Sequence, residues 1–296
     1  MKVKSFEDRA VDTVAIVLVT IFAICCLYPI VYCVSMSLSG NDAIVKSSVK
    51  LLPVGINFES YKLVLSDKQF LVSLKNSVVY TVVGTLWHLF CTLPLGYVIS
   101  RKNFVFRKPL STFILIPMMF GGGLIPTFML IKSLHLYNSI WAIILPSGVS
   151  VWNAILAKTF FQTTVPSELT ESAIIDGAND FQIFLKIILP LSTTIIAILS
   201  LYSAVGIWND YFNAMIYMKD EGLMPLQMYL KDVMSASGSL SQLSGLLDPK
   251  DYVANYVNGQ RMKYVLIVVS TLPIMLVYPF IQKYFVKGVM LGSVKG

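Results

Sequence analysis

The sequence is poor in charge and in the side chains that carry most enzyme chemistry. Only 13% of its 296 residues are charged, and its two histidines are His88 and His135. Neither the GxxxxGK[ST] pattern of phosphate-binding loops nor the HExxH pattern of zinc hydrolases occurs. These absences argue against the common nucleotide-dependent and metal-dependent enzymes. We therefore expect no catalysis, no cofactor and no metal on this chain.

Cysteine is also scarce, and its positions suggest neither a disulfide framework nor a metal site. Cys25, Cys26, Cys33 and Cys91 all lie in apolar runs, where a free thiol behaves as a small apolar group, and no CxxC pattern occurs. The chain also lacks a long basic run interleaved with aromatic residues. Its net charge of +7 comes from residues that flank apolar runs. Anchoring at anionic lipid headgroups explains this charge, and we expect no nucleic-acid partner.

Apolar residues are abundant and make up 56% of the chain, which leaves too little polar surface for a soluble globule of this size. Crossing the hydrocarbon core takes roughly 20 apolar residues, and the segment must be helical because lipid cannot satisfy backbone polar groups. We predict an all-α integral membrane protein with a single domain over residues 1–296. The six predicted transmembrane helices are at about 13–36, 77–100, 110–131, 139–161, 191–218 and 264–285.

The ends of these runs predict the orientation. The first residues are basic and an apolar run follows them, as in a signal peptide. However, the run is longer than the apolar region of a signal peptide, and no small-x-small cleavage pattern follows it. We interpret it as an uncleaved first helix. Lysine and arginine are enriched in short cytoplasmic loops, and the segment SRKNFVFRK at 100–108 carries four of them. Both termini and residues 162–190 are therefore predicted on the cytoplasmic side.

Residues 162–190, called the polar loop below, are unusually hydrophilic for this chain. Ser167 is a candidate helix N-cap, and Glu168 and Glu171 follow near the first turn, where the helix dipole favours acids. Gly177 is suited to ending this helix, because glycine readily adopts the left-handed backbone conformation found after helix C-termini. The pattern predicts a short first helix.

A second short helix is predicted directly after Gly177. Asn179 and Gln182 have the spacing of a capping box, and Pro190 is expected to close the helix. Its apolar residues recur at helical spacing: Phe181, Phe184, Ile187 and Ile188. An amphipathic helix lying on the membrane would explain this pattern too. The acids favour a protein partner instead, since surface-lying helices are usually basic on their polar face.

The polar loop resembles the EAA loop of ABC-importer permease subunits, whose pattern reads E-A-A-x-x-D-G-A, five residues, F-x-x-I-x-L-P. Ser172 replaces the first alanine, and Thr194 stands where many relatives have a second proline; both changes leave the pattern intact. The matching residues are Glu171, Ala173, Asp176, Gly177, Ala178, Phe184, Ile187, Leu189 and Pro190.

The resemblance extends over essentially the full chain and narrows to the carbohydrate (MalG-like) branch. GIWNDYFNAMIYM at 206–218 and LPIMLVYPFIQKYFVKGVMLGSVKG at 272–296 are similar to segments of that branch. MFGGGLIPTF and VKGVMLGSVKG are similar to segments of its LplC/YtcP subgroup. The implied fold is that of a type I ABC importer permease (MetI/MalG-like).

The resemblance implies a subunit of an ATP-driven importer of carbohydrate, specifically of an oligosaccharide, in the plasma membrane of a bacterium. The implied partners are a second homologous permease in a heterodimer, two ATPase subunits that bind ATP and Mg, and an extracellular solute-binding protein. This chain would form half of the translocation path.

The same resemblance implies two contacts with the ATPase subunits. The first is coupling through Glu171, Ala173, Asp176, Gly177, Ala178, Phe181, Phe184, Leu189 and Pro190, with Phe181 and Phe184 forming an apolar face. The second is an extended C-terminal tail that includes Gly292, Ser293, Lys295 and Gly296. A frayed polar terminus is the alternative for the tail.

Polar residues at membrane depth are candidates for the translocation path, because burying them in lipid is costly. The alternatives are helix–helix hydrogen bonding for the amides and interfacial anchoring for the aromatics. The candidates are His88, Asn153, Trp208, Asn209, Asp210 and Asn213. Gly121, Gly122 and Gly123 predict local unwinding or a hinge in the third helix.

The segment at 219–262, called the outer segment below, is too long for a simple connector, and its aromatic residues favour partial order, with a disordered spacer as the alternative. The resemblance to the MalG-like branch implies that it meets the solute-binding protein. An ion-coupled secondary transporter is the competing function. It would show inverted repeats and paired intramembrane charges, and we find neither in the sequence. A membrane-embedded enzyme would need a clustered catalytic set, which we do not find either.

Overall fold

The computed structural model describes residues 6–242 and 249–293, and these residues form helices and no strands. Shorter turns follow α7 at Pro146–Gly148, α10 at Phe184–Ile188 and α13 at Glu221–Leu223. The helices are α1 (Phe6–Leu38), α2 (Asn41–Val45), α3 (Glu59–Ser66), α4 (Lys68–Ser100), α5 (Arg107–Met119), α6 (Leu124–Ser133), α7 (Trp141–Ile144), α8 (Val151–Thr164), α9 (Ser167–Ile175), α10 (Asp180–Ile183), α11 (Leu189–Leu191), α12 (Thr193–Trp208), α13 (Phe212–Tyr217), α14 (Leu226–Gln242) and α15 (Pro249–Ser293).

Four stretches in the described part of the chain are long and apolar enough to cross a membrane, and two bent pairs raise the number to six. This agrees with the all-α, multi-spanning prediction. The four stretches are Ala10–Leu38, Lys68–Ser100, Trp141–Thr164, which comprises α7, a turn and α8, and Val257–Pro279. The bent pairs are Arg107–Met119 with Leu124–Ser133 and Asp180–Leu191 with Thr193–Trp208.

The third predicted helix is broken at its glycines. The axes of α5 and α6 differ by 118°. Gly123, which precedes α6, has φ +80°, a conformation that side chains with a Cβ disfavour. The predicted local unwinding at residues 121–123 is thus confirmed.

The fifth predicted helix is shorter than expected, so its predicted extent to residue 218 is wrong. Helix α12 ends at Trp208, and the separate α13 begins at Phe212. The Asp210 carboxylate lies at the break and accepts hydrogen bonds from the Asn213 backbone N–H at 3.1 Å and from the Asn213 side-chain amide at 2.7 Å. Asp210 lies just before Tyr211, the N-cap of α13, and its carboxylate satisfies a backbone N–H in the first turn of the new helix.

The chain divides into two compact units, residues 1–67 with 230–272 and residues 68–229 with 273–296. In the first unit, Met36, Ile44 and Val257 belong to one buried apolar cluster. Close to it, the chain turns after α1, where the Gly40 N–H donates to the Val54 carbonyl at 3.0 Å. This turn brings residues 48–57 back against the end of α1.

The second unit is built on α4, which packs against α8 and α12. Glycine permits both close approaches. A Cβ on Gly84 would lie 2.6 Å from Ile207 Cδ1, and a Cβ on Gly96 would lie 2.5 Å from the Ala157 Cβ. Small residues at such crossings let membrane helices approach closely.

The outer segment contains regular structure where it is described. Helix α14 covers residues 226–242, and the turn before it is held by side chains of α4. The amides of Gln69 and Asn76 donate to the carbonyls of Glu221 and Gly222, and the Tyr80 hydroxyl donates to the carbonyl of Leu223. The expected partial order of 219–262 is therefore confirmed for these residues.

Candidate functional site

The first half of the polar loop is helix α9, closed by a glycine. The Gly177 N–H donates to the Ile174 carbonyl at 3.0 Å, and the Ala178 N–H donates to the Ala173 carbonyl at 2.9 Å. With Gly177 at φ +79°, this is the Schellman pattern, which satisfies the last carbonyls of a helix. The predicted stop at Gly177 is confirmed.

The start of α9 differs from the prediction. Pro166 has the extended backbone of an N-cap, and Ser167 is already the first helical residue. The prediction of Ser167 as the cap is therefore wrong. The fixed φ of proline suits the entry to a helix, and its missing N–H is not needed there.

The second half of the loop begins with the predicted capping box. The Gln182 N–H donates to Asn179 Oδ1 at 2.8 Å, and the Asn179 N–H donates to Gln182 Oε1 at 3.1 Å. The predicted stop at Pro190 is wrong, because the chain stays helical through a wide π-type turn at Phe184–Ile188 and α11. It bends by 80° only at Ser192. A wide turn accommodates a proline that cannot donate to the helix ladder.

The predicted coupling residues divide into two groups. Ala173 and Phe184 are buried in the apolar cluster that also contains Leu93 and Tyr97 of α4, and Ala178 and Leu189 pack against this cluster. The exposed residues are Glu171, Asp176, Gly177, Phe181 and Pro190.

Phe181 and Phe184 therefore do not form one outward face, as the sequence suggested. Phe181 is 69% exposed, whereas Phe184 is 8% exposed and its ring centroid lies 5.0 Å from that of Tyr97. Ile174 and Ile175 are exposed beside the carboxylates, Ile175 at 86%. Sequence reasoning missed both isoleucines, although two adjacent branched apolar residues just before the glycine stop were a usable signal.

A polar cavity of about 810 Å³ lies beside the loop. Its basic lining residues are Arg101 and Lys102, which follow α4, and its acidic lining residues are Glu168 and Glu171 on α9. The loop thus presents carboxylates and apolar side chains from a base that is packed onto α4. This arrangement is suited to holding a protein partner against a rigid surface.

Two of the translocation-path candidates meet each other inside the helix packing. The Asn153 amide donates to His88 Nε2 at 2.9 Å, so that the ring proton lies on Nδ1, which donates to the Ser147 carbonyl at 2.9 Å. His88 and Asn153 are both buried. The pair joins α4 to α8, as expected for the helix–helix alternative.

The remaining path candidates lie around the C-terminal end of α12. Trp208 is buried and lines an apolar cavity of about 200 Å³ together with Val205 and Pro273. Asn209 is exposed, and its side chain donates to the Val205 carbonyl at 2.9 Å. Asp210 and Asn213 are bound to each other, as described above. Their place on a path stays a prediction.

The C-terminal contact falls at the edge of the described residues. Gly292 and Ser293 end helix α15 instead of forming an extended tail. Lys295 and Gly296 lie outside the described residues.

Comparison with known proteins gives matches over most of the chain. Residues 92–291 match the profile of the family described as binding-protein-dependent transport system inner membrane component. The Bacillus subtilis (strain 168) polygalacturonan/rhamnogalacturonan transport system permease protein YtcP is 38% identical over 294 residues, covering 98% of this chain and 100% of YtcP. Protein LplC of the same strain is 40% identical over 271 residues, covering 91% of this chain and 90% of LplC.

A solved structure also matches this chain over nearly its full length. It is a chain from a bacterial ABC transporter involved in the import of the acidic polysaccharide alginate. The two chains are 34% identical with a TM-score of 0.84, and the match covers 96% of this chain and 100% of the other.

Proposed function

The chain belongs to the family of binding-protein-dependent transport system inner membrane components, and on this premise we propose how it works. It is a membrane-spanning permease subunit of an ABC importer for carbohydrate. YtcP is named for polygalacturonan and rhamnogalacturonan, and the solved neighbour serves the import of alginate. We infer that this chain carries an oligosaccharide. The comparisons give no support to an ion-coupled transporter.

The polar loop is the coupling element of the subunit. The observation that carries this proposal is the division of the loop into an anchored base and an exposed tip. Phe184 and Ala173 are packed beneath it, while Glu171, Asp176 and Ile175 face outward. A tip that is fixed to a membrane helix is suited to passing a displacement on as a rigid-body movement.

The partner at this tip is an ATPase subunit, which binds the ATP and Mg²⁺ that the permease itself does not bind. Glu171 pairs there with a basic group, and the exposed apolar side chains supply the contact area. A second homologous permease completes the translocation path, and each of the two permeases docks one ATPase subunit.

On the other side of the membrane the partner is a solute-binding protein, in keeping with the description of the family as binding-protein-dependent. The described part of 219–262 supplies a surface for it. The loop and both termini lie in the cytoplasm, as the basic segment at 100–108 indicates.

Charge reversal at Glu171 tests the docking proposal. The tagged permease is purified from its native membrane, and the ATPase that co-purifies is measured by protein amount and ATP hydrolysis. We expect E171K to reduce the co-purifying ATPase at least about tenfold, because a reversed charge at an interface costs several kcal/mol.

The matched control is E221K, the same change at an exposed carboxylate outside the loop. It should leave the ATPase bound. Retention of the ATPase by E171K at the wild-type level would refute the docking role. Uptake into vesicles that needs no ATP and follows an ion gradient would refute the importer itself.

A further inference from the structure

The polar loop is tied to α4 by a directional contact in addition to its apolar packing. Arg101 directly follows the last residue of α4, and its Nη1 donates to Thr170 Oγ1 at 3.3 Å. Thr170 lies in the middle of α9 and is only 1% exposed. The guanidinium thus reaches from the end of the membrane helix into the first helix of the loop.

The same guanidinium lies over an aromatic ring that also contacts the second half of the loop. Arg101 Cζ lies 5.6 Å from the centroid of the Tyr97 ring. The Tyr97 ring also contacts two phenylalanine rings: that of Phe184, at a centroid distance of 5.0 Å, and that of Phe161 on α8, at 5.9 Å. One turn of α4 therefore contacts both halves of the loop and α8.

This arrangement restricts movement more than apolar packing alone does. Apolar contacts are non-directional, so packed helices slide past each other at modest cost. A hydrogen bond is directional, and the planar guanidinium of arginine presents its N–H groups in a fixed geometry. When α9 is displaced, the bond to Thr170 transfers that displacement to the end of α4.

We propose that Arg101 is a positioning residue for transport: with Thr170 and Tyr97 it forms a strut that converts movement of the coupling loop into movement of α4. The inference rests on the proposed function of the loop. It assigns to Arg101 the transmission of movement, which is separate from docking, because the Thr170 side chain that Arg101 contacts is buried.

The experiment separates transmission from docking. The complete importer, purified with its ATPase and binding protein, is reconstituted in vesicles, and uptake is measured per ATP hydrolysed, using the oligosaccharide that stimulates the wild-type ATPase. The variants are T170V, which keeps the shape and removes the acceptor, T170S, which keeps the acceptor, and R101Q.

We expect T170V and R101Q to retain the co-purifying ATPase and to lose about tenfold in uptake per ATP, the size typical of a hydrogen bond to a charged group. T170S should stay within about twofold of wild type. The double variant R101Q/T170V should be no worse than R101Q, since both changes break one contact. K108Q removes an exposed cation of the same segment and should have no effect.

Several results would overturn the strut. Uptake per ATP within twofold of wild type in both T170V and R101Q would do so, as would additive losses in the double variant. A loss of co-purifying ATPase or of thermal stability that accounts for the lost uptake would show a merely structural contact. Binding of the ATPase by the wild-type permease is measured before any variant is compared. If the wild type bound no ATPase, the proposed function would fail together with this inference.

Discussion

Gly96 shows how one missing side chain determines the packing of a membrane helix. It lies on α4 where this helix crosses α8, and the space for a Cβ is occupied by the Ala157 Cβ at 2.5 Å and the Lys158 nitrogen at 3.2 Å. Gly206 on α12 is also helical, but nothing lies within 4 Å of the Cβ position. The two glycines therefore have different physical roles despite their similar surroundings in the sequence.

Alanine substitution separates these roles. We expect G96A to destabilise the protein by about 1–3 kcal/mol, because the extra methyl group forces backbone of two helices apart. G206A should be neutral or slightly stabilising, since alanine is the better helix former and meets no neighbour. Thermal unfolding in detergent checks both. Equal unfolding temperatures for G96A and the wild type would contradict the close contact.

At the scale of elements, a buried polar joint connects α4 with the turn before α8. His88 bonds Asn153 on α8 and the carbonyl of Ser147, and the Thr92 hydroxyl donates to the carbonyl of Gly148 at 3.2 Å. His88, Thr92 and Asn153 are buried in this joint, and Ser147 is half-buried. Its polar atoms satisfy each other, as polar groups inside a bundle must.

Replacing His88 tests whether this residue serves the joint or the translocation path. We expect H88L to cost about 1–3 kcal/mol of stability, because the Asn153 amide and the Ser147 carbonyl lose their partner. The double variant H88L/N153L should cost less than the sum of the two single changes. Unfolding curves measure these costs. If H88L unfolds like the wild type while transport falls, His88 acts on the path instead.

The bends in the spans also belong to this scale. Helices α5 and α6 separate at three glycines, and α11 and α12 separate at Ser192. Glycines that allow a break can be recognised in the sequence. The direction and the 118° size of the first bend depend on the surroundings of both halves, and no local pattern encodes those.

The orientation in the membrane is a property of the whole molecule, and it is tested by labelling from one side. In a variant without native cysteines, K102C and D176C should react with a membrane-impermeant maleimide only from the cytoplasmic face. K46C and K219C should react only from the outside, because the basic segment at 100–108 sets the topology. Labelling of D176C from the outside would contradict the proposed docking side of the polar loop.

The sequence alone determined that this is a membrane-spanning helical protein, where most apolar spans lie, and how the polar loop turns at Gly177 and Asn179, whereas the permease assignment came from the resemblance of the polar loop to the EAA loop. These features depend on composition, periodicity and hydrogen bonds between residues a few positions apart. Only the tertiary structure decided that Phe184 turns inward, that His88 meets Asn153 and that Arg101 meets Thr170 at a separation of 69 positions. Such contacts depend on which helix faces pack together, and that choice is made by shape and burial across the molecule.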